Sequence, residues 1–192
     1  DLGIPYLPLQ SQLVWGHYGE RPSLITKNRV YGQLSLRPKT WQPLKRTSLT
    51  NQGDVNGAAY SDGERQTWTY GRVSLTQRLT DQLQFNATYR RRDVWGESPF
   101  RFDAQRPLQD VSLRLSYTGE KWTASANTSY DLLKRSFGSL MLHSNLRPNE
   151  NWHLNLYARY DINQRALLQV VPMVEYKKDE IDLAFGFRYQ PA

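Results

Sequence analysis

From residue 111 to residue 189 apolar and polar side chains alternate almost without interruption. Trp152, Leu154, Leu156, Ala158 and Tyr160 form one set, with His153, Asn155, Tyr157 and Arg159 between them. Trp122, Ala124, Ala126, Thr128 and Tyr130 form another, as do Val111, Leu113, Leu115 and Tyr117. Leu168, Val170, Pro172, Val174 and Tyr176 follow the same rule, then Ile181, Leu183, Phe185, Phe187 and Tyr189; Leu140, Leu142, Ser144 and Leu146 are a weaker member. A period of two puts successive side chains on opposite faces of a strand, so each segment predicts a strand with one apolar face.

Antiparallel partners that stand opposite each other share a face, which allows a parity test. Pairing Tyr117 with Trp122, Leu146 with Trp152, and Tyr176 with Ile181 joins apolar set to apolar set each time. The expected arrangement is an antiparallel meander. Its aromatic residues fall at the strand ends. Tyr117, Trp122, Trp152 and Tyr176 make one row; Tyr89, Tyr130, Tyr160 and Tyr189 make the other. Amphipathic rings bordering an apolar band are characteristic of transmembrane β-barrels. The eight steps from Trp152 to Tyr160 span roughly 26 Å of strand, or roughly 20 Å of height at a tilt of ~40°. The competing arrangement is a sandwich or lipocalin-like barrel with the apolar face inward. The residues of the other face, Arg90, Arg114, Asn127, Asn155, Arg159 and Arg188, suit a wet lumen and predict the membrane form.

The rest of the chain is less regular. Pro5 and Pro8 predict an extended entry, and residues 1–60 read as irregular, with one strand near 10–18, one in 24–37 and a polar, Gly-rich stretch at 43–61 that holds either two short strands or one strand and a long loop. In 66–79, Val73, Leu75 and Leu79 lie on one side and Trp68 and Tyr70 on the other, which a bulge near Gly71 would reconcile. Residues 82–90 alternate cleanly, with Leu83, Phe85, Ala87 and Tyr89 outward. The fold class expected is therefore all-β: an antiparallel up-and-down transmembrane barrel of about 11–12 strands, a single domain over 1–192 whose regular meander is 65–190, either closed or part of a larger barrel. A C-terminal piece would carry an unpaired edge and require other strands. With the last strand ending on the periplasmic side, parity puts the 118–121, 147–151 and 177–180 turns outside and the 91–109 connection on the periplasmic side.

Composition changes this picture little. The 192 residues carry a net charge of +7, are 39% hydrophobic and have no cysteine; mean hydropathy is −0.71. A polar average is compatible with a membrane barrel, because half of each strand faces water. No apolar run is long enough for a transmembrane helix, and no signal peptide opens the sequence at Asp1. The twelve Tyr and six Trp are accounted for largely by the two rows. The Arg excess sits on polar faces and in loops, where it suits phosphorylated lipid head groups or a solvated lumen rather than nucleic acid.

The one long connection in the regular half, 91–109, centres on Trp95-Gly96-Glu97-Ser98-Pro99-Phe100-Arg101-Phe102-Asp103. It is too aromatic for a floppy loop; it either folds back to fill a gap or closes the lumen. With Tyr89-Arg90-Arg91 before it, it resembles the G-x-[ST]-P-F-x-F-D loop of LptD-like LPS-assembly barrels. Ser129-Tyr130-Asp131-Leu132, Arg147-Pro148 with Trp152, and Arg159-Tyr160-Asp161 are similar to repeats in the last strands of that family. The resemblance covers about residues 65–190. It implies a large bacterial outer-membrane barrel that assembles lipopolysaccharide or a related glycolipid into the outer leaflet, with a lipoprotein plug, a periplasmic jellyroll and membrane lipids as partners. The sequence departs from the family in having no jellyroll, about half the strands and no linking cysteines.

Catalytic chemistry is not expected. His143 and Ser144 are adjacent and so on opposite faces; His17 and His153 have no nucleophile in reach of the pattern. There is no phosphate loop, no metal-ligand spacing and no implied cofactor. The alternative to lipid export is a passive, anion-leaning porin of about 12 strands lined by Arg90, Arg114, Arg159 and Arg188. A structural barrel bridging membrane and envelope has no specific signal.

Overall fold

The computed structural model describes residues 8–21 and 24–191; Pro5 and the entry before it lie outside them. Thirteen strands are present: β1 (Leu9–Glu20), β2 (Ile25–Leu36), β3 (Trp41–Leu44), β4 (Thr47–Tyr60), β5 (Arg65–Arg78), β6 (Leu83–Gly96), β7 (Leu108–Thr118), β8 (Trp122–Asp131), β9 (Ser136–Phe137), β10 (Leu140–Leu146), β11 (Trp152–Asp161), β12 (Ala166–Lys178) and β13 (Ile181–Gly186). They form one antiparallel sheet ordered along the chain, with β3 added beside β4 and β9 beside β8. The main path therefore has eleven strands, and no pairing between β1 and β13 closes it among the described residues.

The chain divides into two compact units. The first comprises the chain up to Gln42 with Leu49–Ser74 and Tyr89–Gln109; the second comprises Pro43–Ser48, Leu75–Thr88 and everything from Asp110.

In the second unit the strands and their faces are those the alternation predicts, and each of three registers is displaced by two residues. Tyr117 stands opposite Ala124 and Leu115 opposite Ala126; Leu146 stands opposite Leu154; Tyr176 stands opposite Leu183. A two-residue shift keeps every side chain on its face, whereas a one-residue shift would reverse the sheet. On the following strand of the sheet, Trp122 stands opposite Leu146 and Trp152 opposite Tyr176. The last hairpin closes through Asp179 and Glu180 alone, with Lys178 opposite Ile181 and Asp179 at φ 53°.

The turns at the other strand ends explain a repeat in the sequence. In Tyr130-Asp131 and Tyr160-Asp161 the aspartate ends the strand and accepts backbone N–H bonds from the turn: from Leu133 and Lys134 at 3.0 and 2.9 Å, and from Gln164 at 2.9 Å. Such side-chain acceptors satisfy the turn amides that no strand partner reaches. Asn163 joins the two turns, accepting from the Phe137 N–H and donating to its carbonyl.

The first unit corrects the expectation for 1–60. β1, β2 and β4 are continuous strands of 12, 12 and 14 residues. The polar, Gly-rich stretch is β4 itself. Its even-numbered residues Asp54, Asn56, Ala58 and Tyr60 are all buried, while Gly53, Val55, Gly57 and Ala59 face the other way. In β5, Gln66 and Trp68 are buried on the same inner side, so no change of face is needed at Gly71. Trp68 belongs inside, with its ring 6.0 Å from Tyr31.

Candidate functional site

The inner face of the first unit is polar in its middle. Ser35, Asp54 and Asn56 are buried there. Ser35 donates to Asp54, the Gln52 amide donates to Asp54 at 2.9 Å, the Gln33 amide donates to Ser35 at 3.2 Å, and the Tyr31 hydroxyl donates to Asn56 at 2.8 Å. Buried polar groups are tolerated because they satisfy one another. On the opposite face of the same strands Leu13, Trp15, Val30, Leu34 and Val55 are exposed, Val55 by 56% and Leu13 by 78%. This polarity is the reverse of a water-soluble sheet, where the buried face is apolar.

Towards the turn after β4 the inner face becomes apolar, and the 97–107 connection lies against it. Ala58, Tyr60, Trp68 and Phe100 form the buried cluster, with Tyr18, Ile25, Tyr31 and Val94 packed around it. Phe100 is fully buried, edge-on to Tyr60 with ring centroids 5.7 Å apart and stacked on Phe102 at 4.9 Å. Gly96 starts the connection at φ 75°. A Cβ there would sit 2.2 Å from the Arg65 carbonyl oxygen, so both conformation and space demand glycine. The Glu97 N–H bonds that same carbonyl at 3.2 Å. The Ser98 hydroxyl accepts from the Phe100 N–H at 3.2 Å and lies 2.8 Å from the Tyr60 hydroxyl.

Asp103 fastens the connection from within. The Arg29 guanidinium meets its carboxylate, with Nε at 2.8 Å and Nη2 at 2.9 Å. The Tyr60 hydroxyl also donates to it. Arg29 is itself held between Tyr31 and Tyr18, 4.7 and 5.4 Å from the ring centroids. The two side chains are only 13% and 9% exposed, so the pair is a charge-assisted contact with little water around it. The Glu20 carboxylate receives the Arg101 and Phe102 N–H groups, and Gln66 receives that of Gln105 at 3.1 Å.

Four residues of 96–103 thus have a physical task in this chain: Gly96 for the turn, Ser98 to brace it, Phe100 as anchor, Asp103 as ionic latch. Pro99 is half-buried beside the anchor. Trp95 and Phe102 are 55% and 56% exposed, so the packing of the loop rests on Phe100 rather than on all three rings. Arg29, Tyr31 and Tyr60 were not singled out by the sequence pattern, and Trp68 was noted there only for its face. The signal available for Arg29 was a cation sharing a strand face with Tyr31.

Of the residues predicted to line a lumen, Arg90 is half-buried on β6 of the first unit. In the second unit Arg114 stands opposite Asn127, Asn127 opposite Met141, and Met141 opposite Arg159. Arg114 and Asn127 line a cleft of about 370 Å³ with Thr88, Ser112 and Ser139. Arg159 joins them by donating to Ser139 at 3.1 Å. Asn155 is held by Asn145 two rows away. Arg188 lies beyond β13 and is exposed.

The aromatic rows keep their partners within this unit. Tyr117 and Trp122 have ring centroids 4.8 Å apart, as do Trp152 and Tyr176, and Tyr130 and Phe137. The Trp122 indole donates to Ser144 at 2.8 Å. Tyr89, in the first unit, accepts from Gln109 at 3.0 Å. Tyr160 stands opposite Leu140, and Tyr189 bridges to Val170. Between the rows Leu113, Leu115, Leu142, Leu156, Leu183 and Phe185 are all exposed, Phe185 by 72%.

No family model matches the chain, and no curated protein matches it. Among solved structures it is similar to the Pseudomonas putida toluene transporter TodX, with 14% sequence identity and a TM-score of 0.37 over 94% of this chain and 72% of that one. That likeness is too slight to transfer a family or an activity.

Proposed function

We propose that the chain is a β-barrel element of a bacterial outer membrane that takes part in passing a glycolipid of the lipopolysaccharide type to the outer leaflet. The observation that carries the membrane part is the polarity of the sheet. Ser35 and Asp54 are buried and bonded to each other, and Asn56 is buried and bonded to Tyr31, while Leu34, Val55, Leu156 and Phe185 are exposed on the other face. Burying the polar half and exposing the apolar half is stable only where the outer phase is hydrocarbon.

The lipid part draws on the loop. A connection held by Phe100, Asp103 and Glu20 occupies the inner face of the first unit, which favours a guarded passage over a permanently open one. It also draws on the resemblance of 96–103 to LPS-assembly barrels. Other barrel strands, an envelope protein and a lipoprotein plug are the partners this reading calls for. The second reading, an anion-leaning porin, is favoured by the Arg114–Asn127–Arg159 row on the polar face.

Site-specific photo-crosslinking in cells separates the two. With a photoreactive residue at Ser112, beside Arg114, the export reading predicts an adduct with the envelope glycolipid and a purified protein that is electrically silent in planar bilayers. A steady conductance with anion preference and no lipid adduct would establish the porin instead.

A further inference from the structure

The outward face of the first unit is not evenly covered. Gly53 on β4 and Gly71 on β5 leave it without side chains at two points, and a trench of about 650 Å³ lies over them. Leu34, Val55, Val73 and Tyr89 are among its walls. A Cβ at either glycine would meet no atom within 4 Å, so the trench is real space above the backbone rather than a close approach of another segment. Arg91 and Asp93 also line it. They lie on the outward side of β6, beyond Leu83, Phe85, Ala87 and Tyr89, and grip each other through two bonds of 2.7 and 3.1 Å. A cation and a carboxylate together are unexpected on a face that is otherwise apolar.

We infer that this trench is a binding site for one zwitterionic phospholipid, with phosphoethanolamine as its head group. An acyl chain fills the side-chain-free floor between the aliphatic walls, which removes apolar surface on both partners. The head group supplies the two charges that complement the pair: its phosphate to the Arg91 guanidinium, which remains 56% exposed, and its ammonium to Asp93, 39% exposed. An anionic glycerol lipid would satisfy Arg91 and leave Asp93 repelled, so the pair selects for the zwitterion. The inference rests on the membrane reading above, since only a lipid-facing surface presents acyl chains to the trench.

The test is native mass spectrometry of the purified full chain in mild detergent, given equal phosphatidylethanolamine and phosphatidylglycerol. One phosphatidylethanolamine is expected to stay bound. Gly71→Val fills the floor from a Cβ position with no atom within 4 Å and should lower retention about tenfold. Arg91→Gln should lower it and remove the preference for phosphatidylethanolamine. Equal retention by Gly71→Val, or equal retention of both lipids by the unaltered chain, would overturn the proposal. Insertion into liposomes is measured in parallel. A chain that inserts but retains no lipid would remove the trench site and leave the membrane reading standing; a chain that does not insert would remove both.

Discussion

Asp103→Ala is the most informative single change at the loop. The carboxylate is nearly buried, takes one hydrogen bond from Arg29 Nη2 and one from Tyr60, and has Arg29 Nε 2.8 Å away as its ion-pair partner. Its removal leaves a guanidinium with little solvent of its own, attended only by the faces of Tyr18 and Tyr31. Breaking one side of a buried, hydrogen-bonded ion pair costs roughly 3–5 kcal/mol, mostly because the surviving charge is stranded. Removing both partners is far less harmful. Arg29→Met with Asp103→Ala should therefore recover a large part of the loss, giving a coupling of about 2 kcal/mol or more in a double-mutant cycle. The loss falls on docking of the loop rather than on the whole sheet, because the strands keep their own ladders. Trypsin reports this directly, since Arg101 lies in the loop, is exposed and is followed by Phe102, whereas Arg106 precedes Pro107 and is not a trypsin site. In the single variant, cleavage after Arg101 under native conditions should rise by two orders of magnitude or more, as ~3 kcal/mol requires. Unchanged cleavage, with a coupling near zero, would mean that Arg29 is solvated and that Phe100 alone holds the loop.

Gly96→Ala should also loosen the loop, by roughly 1–3 kcal/mol, because alanine would be forced into a left-handed conformation against the Arg65 carbonyl; hydrogen exchange at the Glu97 amide, which is bonded there, measures it. The open ends of the sheet predict that the chain needs further strands to persist in a membrane. β13 is exposed along its length and, among the described residues, β1 pairs only with β2, so the isolated chain should be heat-labile or oligomeric in detergent, and a monodisperse, heat-resistant monomer would contradict this. For sidedness, parity with a periplasmic last strand puts 97–107 inside. Ser98 is engaged with Tyr60 and Phe100, so the exposed Arg101 is the better probe: Arg101→Cys should resist an impermeant thiol reagent on whole cells while Asp179→Cys reacts, and the opposite pattern would put the loop on the cell surface.

The faces of the strands from 111 onward were legible because their two sides differ sharply in polarity. Leu154 and Leu156 against Asn155 leave no choice of phase. The registers were legible only to within two residues. Alternation constrains parity but is indifferent to a shift of two residues, which leaves every side chain on its face. β4 was illegible for a related reason. Its inner face holds Asp54 and Asn56, and its outer face holds Gly53, Gly57 and Ala59. Neither face looks apolar, so the strand is specified by its neighbours' ladders rather than by its own pattern. Trp68 was assigned to the wrong face because its neighbours made every large ring look outward, whereas near the loop the interior has an aromatic core of its own. The Arg29–Asp103 latch joins residues 74 positions apart, and no local pattern announces such a pair.

The inverted polarity of the sheet is tested most directly at two adjacent positions of β11. Leu156 is 43% exposed on the apolar face, opposite Ser144 and Pro172; Asn155 is on the other face, bonded to Asn145. Unfolding in lipid vesicles should show Leu156→Arg destabilised by roughly 2–4 kcal/mol, the cost of a cation in the apolar band. Asn155→Arg should lose about 1 kcal/mol, the bond to Asn145 alone. In water an arginine replacing a half-exposed leucine would cost little. A neutral Leu156→Arg, or a larger loss at Asn155 than at Leu156, would contradict the membrane-facing assignment on which the account stands.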